Sequence, residues 1–139
     1  MPGTEPAGYS GTPLPKKLGI GSGTPFATLD APVGFADALG SLPDGATWAT
    51  NLGGTPRLVV AFHTSRAALV EAWPTLTESV GKLGSIWVSW PKKSSGLPTD
   101  ITENTLREDL LPSGWVDVKV CAIDQTWSGL KFVLRKELR

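Results

Sequence analysis

The 139-residue sequence has few of the residue types that usually carry redox, metal or covalent chemistry. It contains one cysteine, Cys121, and one histidine, His63. A single cysteine excludes a disulfide within the chain, a zinc site built from cysteines and a two-cysteine redox switch. With one histidine and no Gly-x-Ser-x-Gly sequence, neither a metal site nor a Ser–His nucleophile has support.

Excess charge and long apolar runs are also lacking. Lys and Arg total 13 and Asp and Glu total 13, so no bulk attraction to nucleic acid or to an anionic membrane is expected. The longest strongly apolar run, residues 58–62, is far shorter than a membrane span, and residues 1–17 lack the pattern of a secretory signal. We therefore expect a cytoplasmic protein, with Lys16-Lys17 and Lys92-Lys93 as local basic spots.

Composition and length predict one globular domain. Hydrophobic residues make up 40% of the chain and charged residues 19%, which is typical of a folded domain. Residues 1–8 are rich in Pro and Gly without periodicity, so we interpret them as a flexible tail before a single α/β domain at residues 9–139.

The first two-thirds of the chain alternates between strand and helix signals. Thr12 as N-cap and Pro13 at the first helical position predict a short helix that ends at Gly19. Strands are predicted at residues 25–31, 46–52, 57–64 and 85–90, and a short helix at residues 34–42. A longer helix is predicted at residues 65–83, with a kink or two abutting helices at Pro74 and an end at Gly84. Its apolar stripe is Leu69, Trp73, Leu76, Val80 and Leu83.

The last third predicts one helix and a hairpin. Asp100 and Glu103 have the spacing of a capping box for a helix over residues 99–111. Alternating apolar residues predict strands at residues 114–124, where Val116, Val118 and Val120 alternate with polar positions, and at residues 129–138. The short turn between them predicts antiparallel pairing.

This order predicts an α/β fold: an open, mostly parallel sheet with helices on both faces and a C-terminal antiparallel hairpin. It resembles the Rossmann-like fold of class I S-adenosylmethionine-dependent methyltransferases, with about one strand–helix unit fewer. That resemblance implies a glycine-rich cofactor turn after the first strand and an acidic residue after the second. The chain instead has Pro32 and a single Gly34 in the turn, and Asn51 near the acidic position. The glycines of residues 19–23 precede the first strand and predict a helix stop. We therefore predict no cofactor.

Three segments resemble an uncharacterised bacterial family, domain of unknown function 3052. They are GYSGTPLPKKLGI (residues 8–20), WVSWPKKSSGLPTDITE (residues 87–103) and VDVKVCAIDQTWSGLKFV (residues 116–133). The resemblance implies a small bacterial cytoplasmic protein and supplies neither an activity nor catalytic residues.

The candidate site is the loop after the strand at residues 85–90. Ligand crevices of open α/β sheets lie at the carboxyl ends of the strands, and a helix N-terminus near this loop would favour an anion. The predicted site residues are Trp90, Lys92, Lys93, Ser94, Ser95, Gly96, Thr99 and Asp100, with His63, Asp124 and Trp127 beside them. Trp90 and Trp127 would wall the pocket, since a tryptophan at a turn needs a packing partner. A solvated connecting loop is the competing interpretation.

Two functions fit these residues. The first is a non-catalytic binding or regulatory domain for a small anionic ligand or an acidic protein partner. The second is a small-molecule enzyme in which His63 or Asp124 is a base and a lysine holds an anionic group. His63 also fits a structural histidine that is hydrogen-bonded beside the helix cap at Thr64 and Ser65, and Cys121 fits a small buried strand residue. The sequence leans toward the non-catalytic domain and leaves the oligomeric state open.

Overall fold

The computed structural model describes residues 11–139, so the predicted tail at residues 1–8 lies outside the described part. The helices are α1 (Leu14–Leu18), α2 (Phe35–Leu39), α3 (Arg66–Val80) and α4 (Glu103–Leu110). The strands are β1 (Pro25–Leu29), β2 (Thr47–Ala49), β3 (Leu58–Phe62), β4 (Ser85–Pro91), β5 (Trp115–Ala122) and β6 (Trp127–Leu134). None of the helices in this part of the chain has the length and apolar character needed to cross a membrane.

One six-stranded sheet organises these elements, in the order β2-β1-β3-β4-β6-β5. The pairs β1–β2, β1–β3 and β3–β4 are parallel, whereas β6 runs antiparallel to both β4 and β5. The predicted fold class is confirmed: the sheet is mostly parallel and closes with an antiparallel hairpin.

The helices lie on both faces of the sheet because the chain winds in two directions from β1 and β3. The connection from β1 to β2 moves toward one edge, and the connection from β3 to β4 moves toward the other. Since both crossovers are right-handed in nearly all proteins, α2 and α3 must cover opposite faces. Two separate cores result. One contains α1 and α2 with Leu18, Phe26, Phe35 and Trp87. The other contains α3 and α4 with Leu69, Trp73, Leu106 and Phe132.

The central strands β3 and β4 are buried along their whole length, as strands covered by helices on both faces should be. Trp87 has no exposed surface, and its indole Nε1 donates a 2.8 Å hydrogen bond to the carbonyl oxygen of Leu18. This bond satisfies the buried indole N–H and one carbonyl at the end of α1, so it fixes α1 on the sheet.

The predicted helix at residues 65–83 is shorter than its apolar stripe indicated. It ends at Val80 with Gly81 as C-cap, and Leu83 is 86% exposed, so the assignment of Leu83 to the core is wrong. Pro74 lies inside one continuous helix, and the alternative of two abutting helices is wrong. Pro74 lies on the exposed side of α3, as does Val70, whose carbonyl would have paired with the missing N–H, so solvent can reach this carbonyl.

The caps of two helices differ from the prediction. Helix α4 begins at Glu103, and its capping box joins Thr102 and Thr105 rather than Asp100 and Glu103. Asp100 does not cap α4, because its Oδ1 accepts a 2.8 Å hydrogen bond from the backbone N–H of Arg66, at the start of α3. In α1 the N-cap is Pro13 rather than Thr12, while Gly19 is the predicted left-handed stop, with φ of 90°.

The predicted alternation of β5 is interrupted by a β-bulge between Asp117 and Lys119. Val118 and Val120 are each 55% exposed, so the regular alternation of Val116, Val118 and Val120 does not describe one buried face. A bulge adds an unpaired residue and reverses which face the following side chains point to. Its position on β5 is typical, because β5 is an edge strand of the sheet.

Gly84 provides a test of the junction between α3 and β4. A Cβ atom on Gly84 would stand 2.5 Å from the carbonyl oxygen of Val80 and closer still to the Val80 Cβ, so the backbone would have to move. We expect Gly84→Ala to lower the free energy of unfolding by about 1–3 kcal/mol, measured by urea denaturation. The matched control is Gly54→Ala, where nothing lies within 4 Å, and it should leave stability unchanged or slightly raised. Equal stabilities for the two variants would contradict this packing.

Candidate functional site

The carboxyl ends of the parallel strands meet at one edge of the sheet. Strands β1, β3 and β4 end just before Asp30, His63 and Lys92. The turn between β5 and β6 lies at the same edge, because β6 starts where β4 ends: Trp127 pairs with Pro91. The order of the strands reverses between β1 and β3, and open α/β sheets bind ligands at such a switch point.

His63 lies at this switch point and is almost fully buried. Its side chain leaves the residue 8% exposed, and its backbone N–H donates a 3.0 Å bond to the carbonyl oxygen of Ser89 on β4. Nδ1 has no hydrogen-bond partner among the described residues, so the prediction of a hydrogen-bonded structural histidine fails for this atom. Burial lowers the pKa of His63, and the negative charge of Asp30 opposes that shift. The imidazole is therefore neutral at physiological pH.

The loop of residues 92–100 is anchored at both ends. At its start, the backbone N–H of Lys92 donates a 2.7 Å bond to the carbonyl oxygen of Thr126. At its end, Thr99 Oγ1 donates a 2.7 Å bond to the carbonyl oxygen of Thr64, which directly follows His63. The loop therefore bridges the β5–β6 turn and the start of α3 rather than extending freely into solvent.

The middle of the loop is a 3-10 turn at Lys93–Ser95, which Gly96 ends with φ of 76°. Ser95 Oγ donates a 2.7 Å bond to the carbonyl oxygen of Lys92 and accepts a 3.1 Å bond from the backbone N–H of Leu97. These contacts occupy the Ser95 hydroxyl, which had been a candidate ligand group. The side chain of Ser94 is exposed and makes no hydrogen bond to the described residues.

Lys92 is half-buried and Lys93 is exposed, and neither forms an ion pair with residues 11–139. The carboxylates of α4 and β5 pair with arginines instead. Arg66 binds Asp109 at 2.8 Å and Glu108 at 3.3 Å, and Arg107 binds Glu103 and Asp117. These contacts occupy four carboxylates on the α3–α4 side, and none of the four pairs with the two loop lysines.

The two predicted acidic site residues have structural contacts. Asp124 Oδ1 accepts 2.8 Å bonds from the backbone N–H groups of Thr126 and Trp127, which fixes the β5–β6 turn. Asp100 caps α3 through Arg66, as described above. Asp30, which sequence reasoning missed, is the carboxylate that acts electrostatically on His63. Its position directly after a parallel strand is the signal that could have identified it.

The two predicted pocket walls lie on opposite faces of the sheet. Trp127 packs edge-to-face against Phe62, with ring centroids 5.2 Å apart, on the α1–α2 face. Trp90 is buried in the other core, with α3 and α4. Successive residues of a strand point to opposite faces, and Trp127 is paired with Pro91 rather than with Trp90. The prediction that Trp90 and Trp127 wall one pocket is therefore wrong, although Trp127 has the packing partner that its position at a turn required.

The sequence and the structure were compared with those of known proteins, and only the structure gave matches. No known protein family matches the sequence, and no curated protein does. Among solved structures, a SAM-dependent methyltransferase from Aquifex aeolicus is similar, with a TM-score of 0.61 and 10% identity over 84% of this chain and 85% of that one. The chain has a methyltransferase-like fold.

Two further structures agree with this fold. A protein in the NADB-Rossmann superfamily from Streptococcus agalactiae gives a TM-score of 0.53, with 8% identity over 91% of this chain and 69% of that one. The M1A22 tRNA methyltransferase TrmK of B. subtilis gives a TM-score of 0.51, with 10% identity over 92% of this chain and 68% of that one. Identities this low support the fold and nothing finer.

The residues at the usual cofactor positions do not fit S-adenosylmethionine well. In the turn after β1, Pro32 offers no N–H, and its carbonyl accepts a 3.0 Å bond from Phe35, which closes the turn on itself. Near the end of β2, the Asn51 side chain accepts a 3.0 Å bond from the backbone N–H of Gly53 and is not acidic. Residues 11–139 also contain no group of His, Cys, Asp and Glu side chains that could hold a metal ion.

The buried His63 predicts a pH-dependent stability. Below about pH 6.5, the unfolded chain binds a proton at His63, while the folded protein resists protonation because burial lowers the imidazole pKa. Protonation therefore favours unfolding, and we expect the free energy of unfolding to fall between about pH 7.5 and pH 5.5. Urea denaturation at both pH values should show this fall in the wild type and a smaller one in His63→Gln. An equal fall in both proteins would contradict the burial of His63.

Proposed function

We propose that this protein is a non-catalytic binding domain on a methyltransferase-like fold, and that its site is the loop of residues 92–100. The observation that carries the proposal is the pair Lys92 and Lys93: two positive charges without an ion-pair partner among the described residues, on a loop anchored at both ends. A small anionic ligand is the proposed occupant, and an acidic segment of a partner protein is the alternative.

The anchoring of the loop supports binding rather than a solvated connection. A loop that is already ordered loses less conformational entropy when a ligand binds, so the same contacts yield a higher affinity. Here Thr64 and Thr126 hold the two ends through backbone carbonyls, and Ser95 closes the middle. The bonds that order the loop leave the ammonium groups of Lys92 and Lys93 available.

The absence of catalysis is supported by the contacts of two acidic groups at this edge, Asp100 and Asp124. Asp124 holds the β5–β6 turn and Asp100 caps α3, so neither stands free beside the lysines as an acid or base would. The fit to S-adenosylmethionine at the usual positions is poor. No step of a methyl transfer is therefore assigned to these residues.

A small-molecule enzyme remains the second candidate, because one observation favours it. His63 is neutral, its Nδ1 has no partner among residues 11–139, and Asp30 lies close enough to act on its charge. A neutral imidazole beside a carboxylate can accept a proton from a substrate. Incubation of the protein with any ligand found below, followed by NMR of the ligand over hours, separates the candidates. Conversion that is lost in His63→Gln supports the enzyme, and an unchanged ligand supports the binding domain.

The lysine pair is tested with a double variant. We expect Lys92→Gln/Lys93→Gln to bind anionic probes at least about tenfold more weakly than the wild type, because each lost charge-assisted contact is worth roughly 1.5–3 kcal/mol. The probes are succinate and citrate for the small-ligand form, and a deca-glutamate peptide for the partner form. Affinities are measured by isothermal titration calorimetry after a thermal-shift screen.

The matched control is Lys82→Gln/Lys136→Gln, which removes two exposed lysines that lie beyond α3 and β6 at the opposite edge of the sheet. It should bind the probes as the wild type does. The proposal fails if no probe binds the wild type, or if the two double variants lose affinity equally. Tight binding of the peptide alone would favour the partner form.

Three further expectations stay predictions: the resemblance to domain of unknown function 3052, the single domain at residues 9–139, and the cytoplasmic location. The one-domain arrangement is supported by the single sheet that joins all six strands between residues 25 and 134.

A further inference from the structure

A second basic surface lies in a cleft between α1 and the β5–β6 hairpin, and neither loop lysine is among its lining residues. The cleft has a volume of about 510 Å³. The lining among residues 11–139 contains three lysines and no aromatic residue: Thr12, Lys16, Lys17, Lys119, Val120, Cys121 and Ala122. The sequence does not predict this surface, because Lys119 follows Lys16 and Lys17 by about a hundred positions.

The β-bulge of β5 is what brings Lys119 to this face. Before the bulge, Asp117 pairs with Phe132 and points to the α3–α4 face, where it binds Arg107. After the bulge, Lys119 pairs with Lys131, which in turn pairs with Trp87 on the α1–α2 face. Without the extra residue, positions 117 and 119 would share one face. The bulge therefore places Lys119 on the face of the sheet that carries α1, opposite the face on which Asp117 binds Arg107.

Helix α1 supplies the other wall of the cleft. The bond from Trp87 to Leu18 fixes the end of α1, and Lys17 Nζ donates a 3.3 Å bond to the carbonyl oxygen of Ala122 at the end of β5. A Cβ atom placed on Gly19 would stand 3.7 Å from Lys131 Nζ, so the ammonium group of Lys131 lies beside the end of the same helix. Lys16, Lys17, Lys119 and Lys131 thus form one group, named the lysine cluster below.

The lysine cluster is not neutralised by the residues described. None of the lining residues that the structure describes is a carboxylate, and the ion pairs within residues 11–139 all involve Arg66 or Arg107. Burial is the larger cause that lowers the pKa of Lys131, and the positive charge of Lys119 lowers it further. The half-buried thiol of Cys121 has its pKa raised by burial and lowered by the charges of Lys17 and Lys119. The folded protein therefore bears an electrostatic cost here that a bound anion would relieve.

We propose that the lysine cluster binds the phosphate groups of a small phosphorylated molecule. Lysine ammonium groups bind phosphate as compact charges that need no fixed orientation. They can therefore contact one phosphate group even though they extend from three different elements, α1, β5 and β6. The volume of the cleft is within the range of small-molecule sites. Single-stranded nucleic acid is disfavoured as the occupant because its bases stack on aromatic side chains, and none of the described residues that line the cleft is aromatic.

The test uses the full chain and three probes: inorganic phosphate, pyrophosphate and ATP, at matched ionic strength. Calorimetry gives the affinities, and NMR of the ¹⁵N-labelled protein locates the site. We expect the affinity to rise from phosphate to pyrophosphate, and amide shifts to concentrate at residues 16–19 and 119–122. Lys119→Gln and Lys16→Gln should each weaken pyrophosphate binding about tenfold. Both lysines are exposed, so both variants should fold.

Two controls separate this site from the one proposed above. Lys82→Gln, which removes an exposed lysine at the far end of α3, should bind pyrophosphate like the wild type. In Lys92→Gln/Lys93→Gln the amide shifts that pyrophosphate causes at residues 16–19 and 119–122 should persist, whatever binding the loop loses. Loss of these shifts in that variant, with Lys119→Gln unaffected, would overturn the second site while sparing the first. The proposal is also overturned if the wild type binds none of the probes below about 10 mM, or if Lys119→Gln binds as tightly as Lys82→Gln. Tighter binding of a single-stranded RNA oligonucleotide than of pyrophosphate and ATP would reject the small-molecule form.

Discussion

The burial of Trp87 is the constraint on which the rest of the structure depends. Its indole ring lies in the middle of β4 without exposed surface, and its one polar atom is satisfied by the carbonyl oxygen of Leu18. Truncating a buried tryptophan typically costs about 3–5 kcal/mol, which is a large fraction of the stability of a domain this size. The same contact joins the central strand to α1, so the N-terminal helix is part of the fold rather than an appendage.

Both basic surfaces follow from the way the sheet is covered. At the carboxyl edge, Lys92 and Lys93 follow β4 in a loop whose two ends donate hydrogen bonds to the carbonyl oxygens of Thr126 and Thr64. On the α1 face, the fixed helix and the bulged strand β5 bring four lysines together. The carboxylates of α4 and β5 meanwhile pair with Arg66 and Arg107 on the opposite face. A chain with no net charge thus carries two groups of lysines that have no ion-pair partner among residues 11–139, which overall composition does not reveal.

The fold could be predicted from the sequence because its signals are local and repeated. Strand and helix patterns alternate, Gly19 ends α1 where predicted, and the hairpin follows from two alternating segments around a short turn. The errors occurred where a distant partner decided the outcome. Asp100 has the spacing of a helix cap, yet the backbone of Arg66, on another helix, binds it. Leu83 fits the apolar stripe of α3 but follows the end of the helix, so its side chain has nothing to pack against.

By itself the sequence determined the class of the fold, the buried central strands and the loop that carries Lys92 and Lys93. Residue spacing within one segment fixes which side chains share a face, and that information is complete in the chain. Only the tertiary structure decided which segments meet. It separated Trp90 from Trp127, brought Asp30 to His63 and assembled the lysine cluster. The physical reason is that strand order, register and a single bulge are set by packing between segments far apart in the chain, and no local pattern encodes them.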